Sequence, residues 1–130
     1  MTRSSMHFRL LILLLCGGLA VVSRAAAVSY PFKTSTATFE VNERGSLESI
    51  SVAGGPSNSV APGTPAPLLT VRVAGVMHSP ARATWSDAAN QLTLDYPQAG
   101  VSAVLAVAAK TTHITFELIR VTPEERVELA

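Results

Sequence analysis

Cysteine is the scarcest reactive residue of this 130-residue chain: there is one, Cys16, inside an N-terminal apolar run. With that run removed on export, the rest of the protein can form no disulfide and no zinc site built on thiolates, so its stability has to come from packing. An excess of either charge is also missing. Ten Lys and Arg stand against nine Asp and Glu, a net charge of +1. That balance lacks the basic face of a nucleic-acid binder and the acidic excess of a disordered tail, so no nucleic-acid partner is expected. Long hydrophobic runs are missing as well. The run Leu10 to Val22 has 13 residues, whereas a helix needs about 20 to cross the hydrocarbon core of a bilayer.

The sequence also lacks the local signatures of common enzymes. The two histidines beyond the apolar run, His78 and His113, have no second histidine at a metal-binding spacing, so neither a metal nor a cofactor is expected. A serine nucleophile elbow, Gly-x-Ser-x-Gly, does not occur, and Gly45-Ser46 lacks its flanking residues. Gly54-Gly55-Pro56 is followed by no Lys-Ser/Thr pair and no helix start, which removes the phosphate-cradling loop. Glycoside hydrolysis usually needs two carboxylates facing across a cleft, roughly 5 to 9.5 Å apart. The nine acids, Glu40 to Glu128, each fall on an alternating polar face or in a turn, where a solvated role is the ordinary one.

What is present begins with a leader. Arg3 and Arg9 precede the apolar run and Ser23-Arg24-Ala25-Ala26-Ala27 follows it, the charged, apolar and small-residue regions of a secretory signal. Cleavage is predicted after Ala27, giving a signal peptide over 1–27 and a secreted or periplasmic chain that meets the membrane only in transit. Retention as an anchor is the alternative. Leu13-Leu14-Leu15 stands before Cys16 where a lipoprotein site would carry a small residue, so Cys16 reads as one more apolar residue of the leader. Loss of Arg3, Arg9 and Arg24 leaves seven basic residues against nine acids, a charge of −2.

Beyond a short segment over 28–35, the pattern has the period of strands. Ala37, Phe39 and Val41 alternate with polar residues, and Asn42-Glu43-Arg44-Gly45 supplies a turn. In the return strand, Ser46 to Ala53, Leu47 is out of phase with Ile50 and Val52, so a β-bulge is predicted near Ser49. Residues 54–67 hold three Gly and four Pro; no regular element survives that density, and the absence of aromatic and charged side chains reads as a mobile loop. Strands are then predicted around Leu69 to Val73, Arg82 to Ser86, Gln91 to Tyr96, Val101 to Ala109 and Thr112 to Val121. Val101 to Ala109, apolar on both faces, reads as a central strand, with a helix as the alternative. Thr122-Pro123-Glu124-Glu125 turns the chain, and Arg126 to Ala130 begins a further alternation. Seven or eight short strands with no amphipathic helix after the leader predict an all-β fold, an antiparallel β-sandwich over 36–130 preceded by a signal helix. Phe39, Val41, Leu69, Val71, Leu92, Leu94, Ile114, Phe116 and Leu118 are the expected core, with Tyr96 on the same face as Leu92 and Leu94.

Phe39-Glu40-Val41-Asn42-Glu43-Arg44-Gly45-Ser46-Leu47-Glu48-Ser49-Ile50, followed by Leu69 to Gly75 and by His113-Ile114-Thr115-Phe116-Glu117-Leu118, resembles the N-terminal, galactose-mutarotase-like supersandwich domain of exported bacterial proteins related to glycoside hydrolases. The resemblance covers most of residues 36–130 and consists of a strand pattern and a Gly-x-Leu-x-Ser-Ile turn, not a catalytic signature. It implies a non-catalytic module accessory to a carbohydrate-active enzyme, or the N-terminal part of one, with a carbohydrate and a catalytic domain further along the chain as partners. A secreted interaction or structural protein with no carbohydrate role is the alternative, and an enzyme in its own right a third.

Three residues are candidates for ligand binding. Trp85, beside Ser86-Asp87, is the one aromatic placed to stack on a sugar ring, although a tryptophan in a small sandwich is commonly core. His113 and Glu117 flank Thr115 on one face of a strand, where side chains two apart stand together; the same pattern fits the wet side of an antiparallel strand. Arg126 to Ala130 starts a strand with no closing turn, so the sandwich is expected to be completed by further chain or by a partner that donates a strand.

Overall fold

The computed structural model describes residues 27–55, 58–61 and 63–128. The leader 1–26, and with it the expected signal helix, lies outside the described residues, as do Leu129 and Ala130; Ala27, at the expected cleavage point, is exposed. The described chain is all-β and antiparallel. Its strands are β1 Ser29–Lys33, β2 Ala37–Asn42, β3 Ser46–Val52, β4 Ala66–Pro67, β5 Val71–Val73, β6 Val76–His78, β7 Arg82–Ser86, β8 Gln91–Tyr96, β9 Val101–Ala109 and β10 Ile114–Thr122, with a 3-10 turn at Glu124–Arg126. Two four-stranded sheets, ordered β1-β2-β3-β4 and β10-β9-β8-β7, and a β5-β6 ribbon account for them. Among the described residues no helix is long and apolar enough to cross a membrane.

Alternating apolar residues put one face of each sheet into a single core, an arrangement consistent with a β-sandwich. Phe32 and Val41 come from the first sheet, Val71 from the ribbon, and Ala83, Leu92, Leu94, Tyr96, Val101, Ala103, Leu105 and Val107 from the second. Val41, Leu92 and Leu94 are wholly shielded from solvent, each worth about 1.5–3 kcal/mol of apolar burial. Val104, on the other face of β9, is buried too, because β9 lies between β10 and β8; the helix alternative for this segment is thereby excluded. Hydrogen bonds tie the layers together where chain ends and turns meet. The Tyr30 hydroxyl donates to the Ala83 carbonyl (3.1 Å), Ala83 N–H to the Glu43 carbonyl (2.6 Å), and the Tyr96 hydroxyl to the Leu69 carbonyl (2.8 Å).

Turn chemistry follows the residues. The Asn42 side chain accepts from Arg44 N–H and Ser46 N–H (3.0 and 3.1 Å) and Gly45 sits at φ 77°, closing the β2-β3 hairpin. β3 carries a bulge: Glu40 pairs with Ser49 and Val41 with Leu47, leaving Glu48 as the extra residue, beside the expected position. Ala74 and Gly75, both at positive φ, form the two-residue connection of β5 and β6, the turn that matches strand twist.

The structure departs from expectation at several places, the unforeseen strand β6 among them. Residues 29–33, expected as a lead-in, form β1 and pair with β2 from Thr38 to Asn42. The described part of the Pro-rich loop is tied to β3: Ser59 N–H donates to the Ile50 carbonyl, the Asn58 side chain accepts from Ile50 N–H, and Ala66 and Pro67 pair with Leu47 and Ser46. The start of the last expected strand is instead the Glu124–Arg126 turn followed by one bridge between Glu128 and Arg72. Leu118, expected in the core, is 49% exposed. Its side chain is in phase with Leu105 across the ladder, but a bulge at Ile119 shifts the phase, and it is Val121 that packs against the core beyond it.

Candidate functional site

Trp85 is drawn inward. It lies on the core-facing phase of β7, opposite Leu92, and meets Phe32 edge-to-face with ring centroids 5.1 Å apart, while its indole N–H donates to the Asp87 carboxylate (2.7 Å). The ring is half-buried, packed from the core side by Phe32 and tied through its own nitrogen to Asp87. His113 and Glu117 stay outside. Both are exposed on the β10 side, and the His113 ring has the Thr112 hydroxyl at 3.4 Å. Trp85 and the His113-Glu117 pair therefore belong to opposite edges of the second sheet, β7 and β10, and do not converge.

The carboxylates are spread over the surface in local roles. Glu40 accepts from the Ser49 hydroxyl (2.8 Å), Asp95 pairs with Arg82 (2.9 Å), and Glu128 accepts from Gly75 N–H at the ribbon tip (2.9 Å). Among the described residues no group of three or more His, Cys, Asp or Glu side chains is placed to hold a metal. Burial pushes the Tyr96 hydroxyl above its ordinary value. Its task is structural, since it donates across the layers to Leu69.

A different feature stands out on β10. Leu118 and Ile119, 49% and 50% exposed, open onto a groove of about 460 Å³ completed by Arg120, Val121, Glu124 and Val127. The bulge creates it. Two consecutive residues, Leu118 and Ile119, stand where β9 offers only one step, so apolar surface emerges at the sheet edge just before the chain crosses toward β5. The sequence carries a signal for it. Ile114, Phe116 and Leu118 share one phase and Val121 the other, the same kind of break that marks the β3 bulge, and an unbroken alternation from Thr112 to Val121 passes over it.

Other edges of the two four-stranded sheets are in part covered or blunted. β1 contains Pro31, which has no N–H to offer; β3 is lined by β4 and by Ser59; β7 gives Ala83 N–H to Glu43 and accepts from Tyr30. Along β10 no strand among the described residues pairs on the side away from β9. No family model matches the chain, and neither do any curated proteins or solved structures.

Proposed function

We propose that the chain is an exported, non-catalytic β-module that works by docking another polypeptide against the β10 edge. The observation that carries this is the pair Leu118 and Ile119, half exposed on an edge strand whose outer backbone groups have no partner strand among the described residues. Extended segments add to such edges through main-chain hydrogen bonds, with side-chain pockets supplying selectivity. The groove beside Val121 and Val127 is a pocket of that kind. Export is read from the leader pattern over 1–27.

A second reading, an accessory module of a carbohydrate-active enzyme or its N-terminal part, draws on the resemblance to the supersandwich domain and on the half-buried Trp85 beside Asp87. It ranks lower because the indole is engaged from within by Phe32.

The test is photo-crosslinking in an exporting bacterial host, with benzoylphenylalanine placed at Ile119 or, as control, at the exposed Thr84 on β7. The docking reading expects a discrete polypeptide adduct from position 119 alone. No adduct from 119, or equal adducts from both positions, contradicts it.

A further inference from the structure

We infer that the segment docked on β10 is β10 of a second copy, paired antiparallel about a twofold axis that brings Glu117 of each copy opposite Arg120 of the other; this rests on the docking reading above. The register comes from the ladder. Lys110 N–H donates to the His113 carbonyl, and alternation along an antiparallel pair then turns the backbone groups of Thr115 and Glu117 toward β9 and those of Phe116 and Leu118 outward. After the bulge, Arg120 lies opposite Val104 and Val121 opposite Ala103, so Val121 is the next residue with outward backbone groups.

In a twofold pair of antiparallel strands, facing residues must share a face of the sheet and must both point their backbone groups at each other. An unbroken strand meets this only when one residue faces its own copy and its neighbours face residues an even number of positions along, so Glu117 could not face Arg120, three positions away. The Ile119 bulge changes the parity. Phe116 can then face Val121 of the second copy, both inward and both with free backbone groups, and Glu117 can face Arg120, both outward. Leu118 and Ile119 of the two copies meet at the centre, where their exposed apolar surface is covered. Opposite charges across a strand pair stabilise it and like charges destabilise it, so this register is favoured twice over by symmetry. In a lone monomer the same two charges would only blunt an edge.

Sedimentation velocity on the protein from an exporting host, its N terminus fixed by mass spectrometry, tests this over about 1 to 500 µM, the range suited to a small interface. A concentration-dependent monomer–dimer equilibrium is expected. Ile119→Lys should weaken it at least about tenfold, and Arg120→Glu, which sets Glu against Glu twice, by a similar factor. The double variant Glu117→Arg with Arg120→Glu restores both pairs and should recover the dimer to within about threefold of the parent. All three sites are exposed, and each variant's thermal melt verifies its fold. A parent that stays monomeric throughout overturns the inference, as does a dimer indifferent to Ile119→Lys or a double variant that does not recover. A monomeric parent whose position-119 crosslink captures a different polypeptide overturns the self-pairing alone and leaves the docking reading standing; absence of any such adduct overturns both.

Discussion

Gly45 lies directly over Leu94: a methyl group in place of its α-hydrogen would stand 2.6 Å from Leu94 Cδ2 and 3.1 Å from Pro80 Cγ. The β2-β3 turn is thereby pressed onto the second sheet, and its glycine is required for space as well as for its φ of 77°. At Gly75, with nearly the same φ of 76°, a methyl group would meet nothing within 4 Å.

The two glycines make a matched pair for a stability measurement. Gly75→Ala carries only the left-handed backbone cost, about 1 kcal/mol. Gly45→Ala adds an overpacking cost to the same backbone term, for a loss of about 2–4 kcal/mol. Urea unfolding of the two variants checks the difference, and equal losses would mean that the turn does not press on Leu94.

Tyr96 gives a pH dependence. Burial raises its hydroxyl above the ordinary value near 10, so the proton is kept in the folded state and released more readily in the unfolded one. Its contribution is therefore complete below pH 10 and is lost as the pH rises above that value toward the folded-state pKa. Tyr96→Phe should lose about 0.5–1.5 kcal/mol at neutral pH, for the hydrogen bond to Leu69, and should show a shallower fall in stability above pH 10 than the parent. Thermal melts at neutral and alkaline pH measure both effects; parallel falls in parent and variant would mean that Tyr96 is not the group responsible.

Trp85 is the only tryptophan of the chain, so intrinsic fluorescence reports on it without labelling. With the indole held by Phe32 and Asp87, millimolar mono- and oligosaccharides should leave its emission unchanged. A saturable shift on adding a glycan would favour the carbohydrate-accessory reading over docking on β10.

Much of the fold is legible in the sequence because period-2 alternation and turn residues act locally. Ala37 to Val41 and Gln91 to Tyr96 carry their strand pattern in their own side chains, and the phase slip at Leu47 announces the β3 bulge. β1 is less visible. Tyr30 and Phe32 alternate, but Pro31 between them reads as a breaker, and only the partner strand β2 shows that its missing N–H sits at an edge. The exposure of Leu118 is legible only as the phase break between Leu118 and Val121, since its own phase is inward and its burial depends on what lies across the core. Trp85 is legible as a residue that packs or stacks; the choice between them requires Phe32, which is 53 positions away in sequence.

Phe116 shows the same limit in graded form. Its ring meets Phe32 edge-to-face at 5.7 Å, yet it stays partly exposed on the edge strand. Phe116→Ala should therefore cost about 2–3 kcal/mol, short of the roughly 3–5 kcal/mol of a fully buried phenylalanine. Denaturant unfolding gives the value, and a loss under about 1 kcal/mol would detach β10 from the core.

Self-pairing through β10 is probed at its backbone by amide hydrogen exchange as the protein is concentrated about a hundredfold. Pairing at the free edge predicts that peptides spanning residues 114–122 slow with concentration, while those spanning the covered edge, residues 82–86, do not. Exchange through β10 that is rapid and independent of concentration, in a protein that remains folded by its near-ultraviolet spectrum, would contradict it.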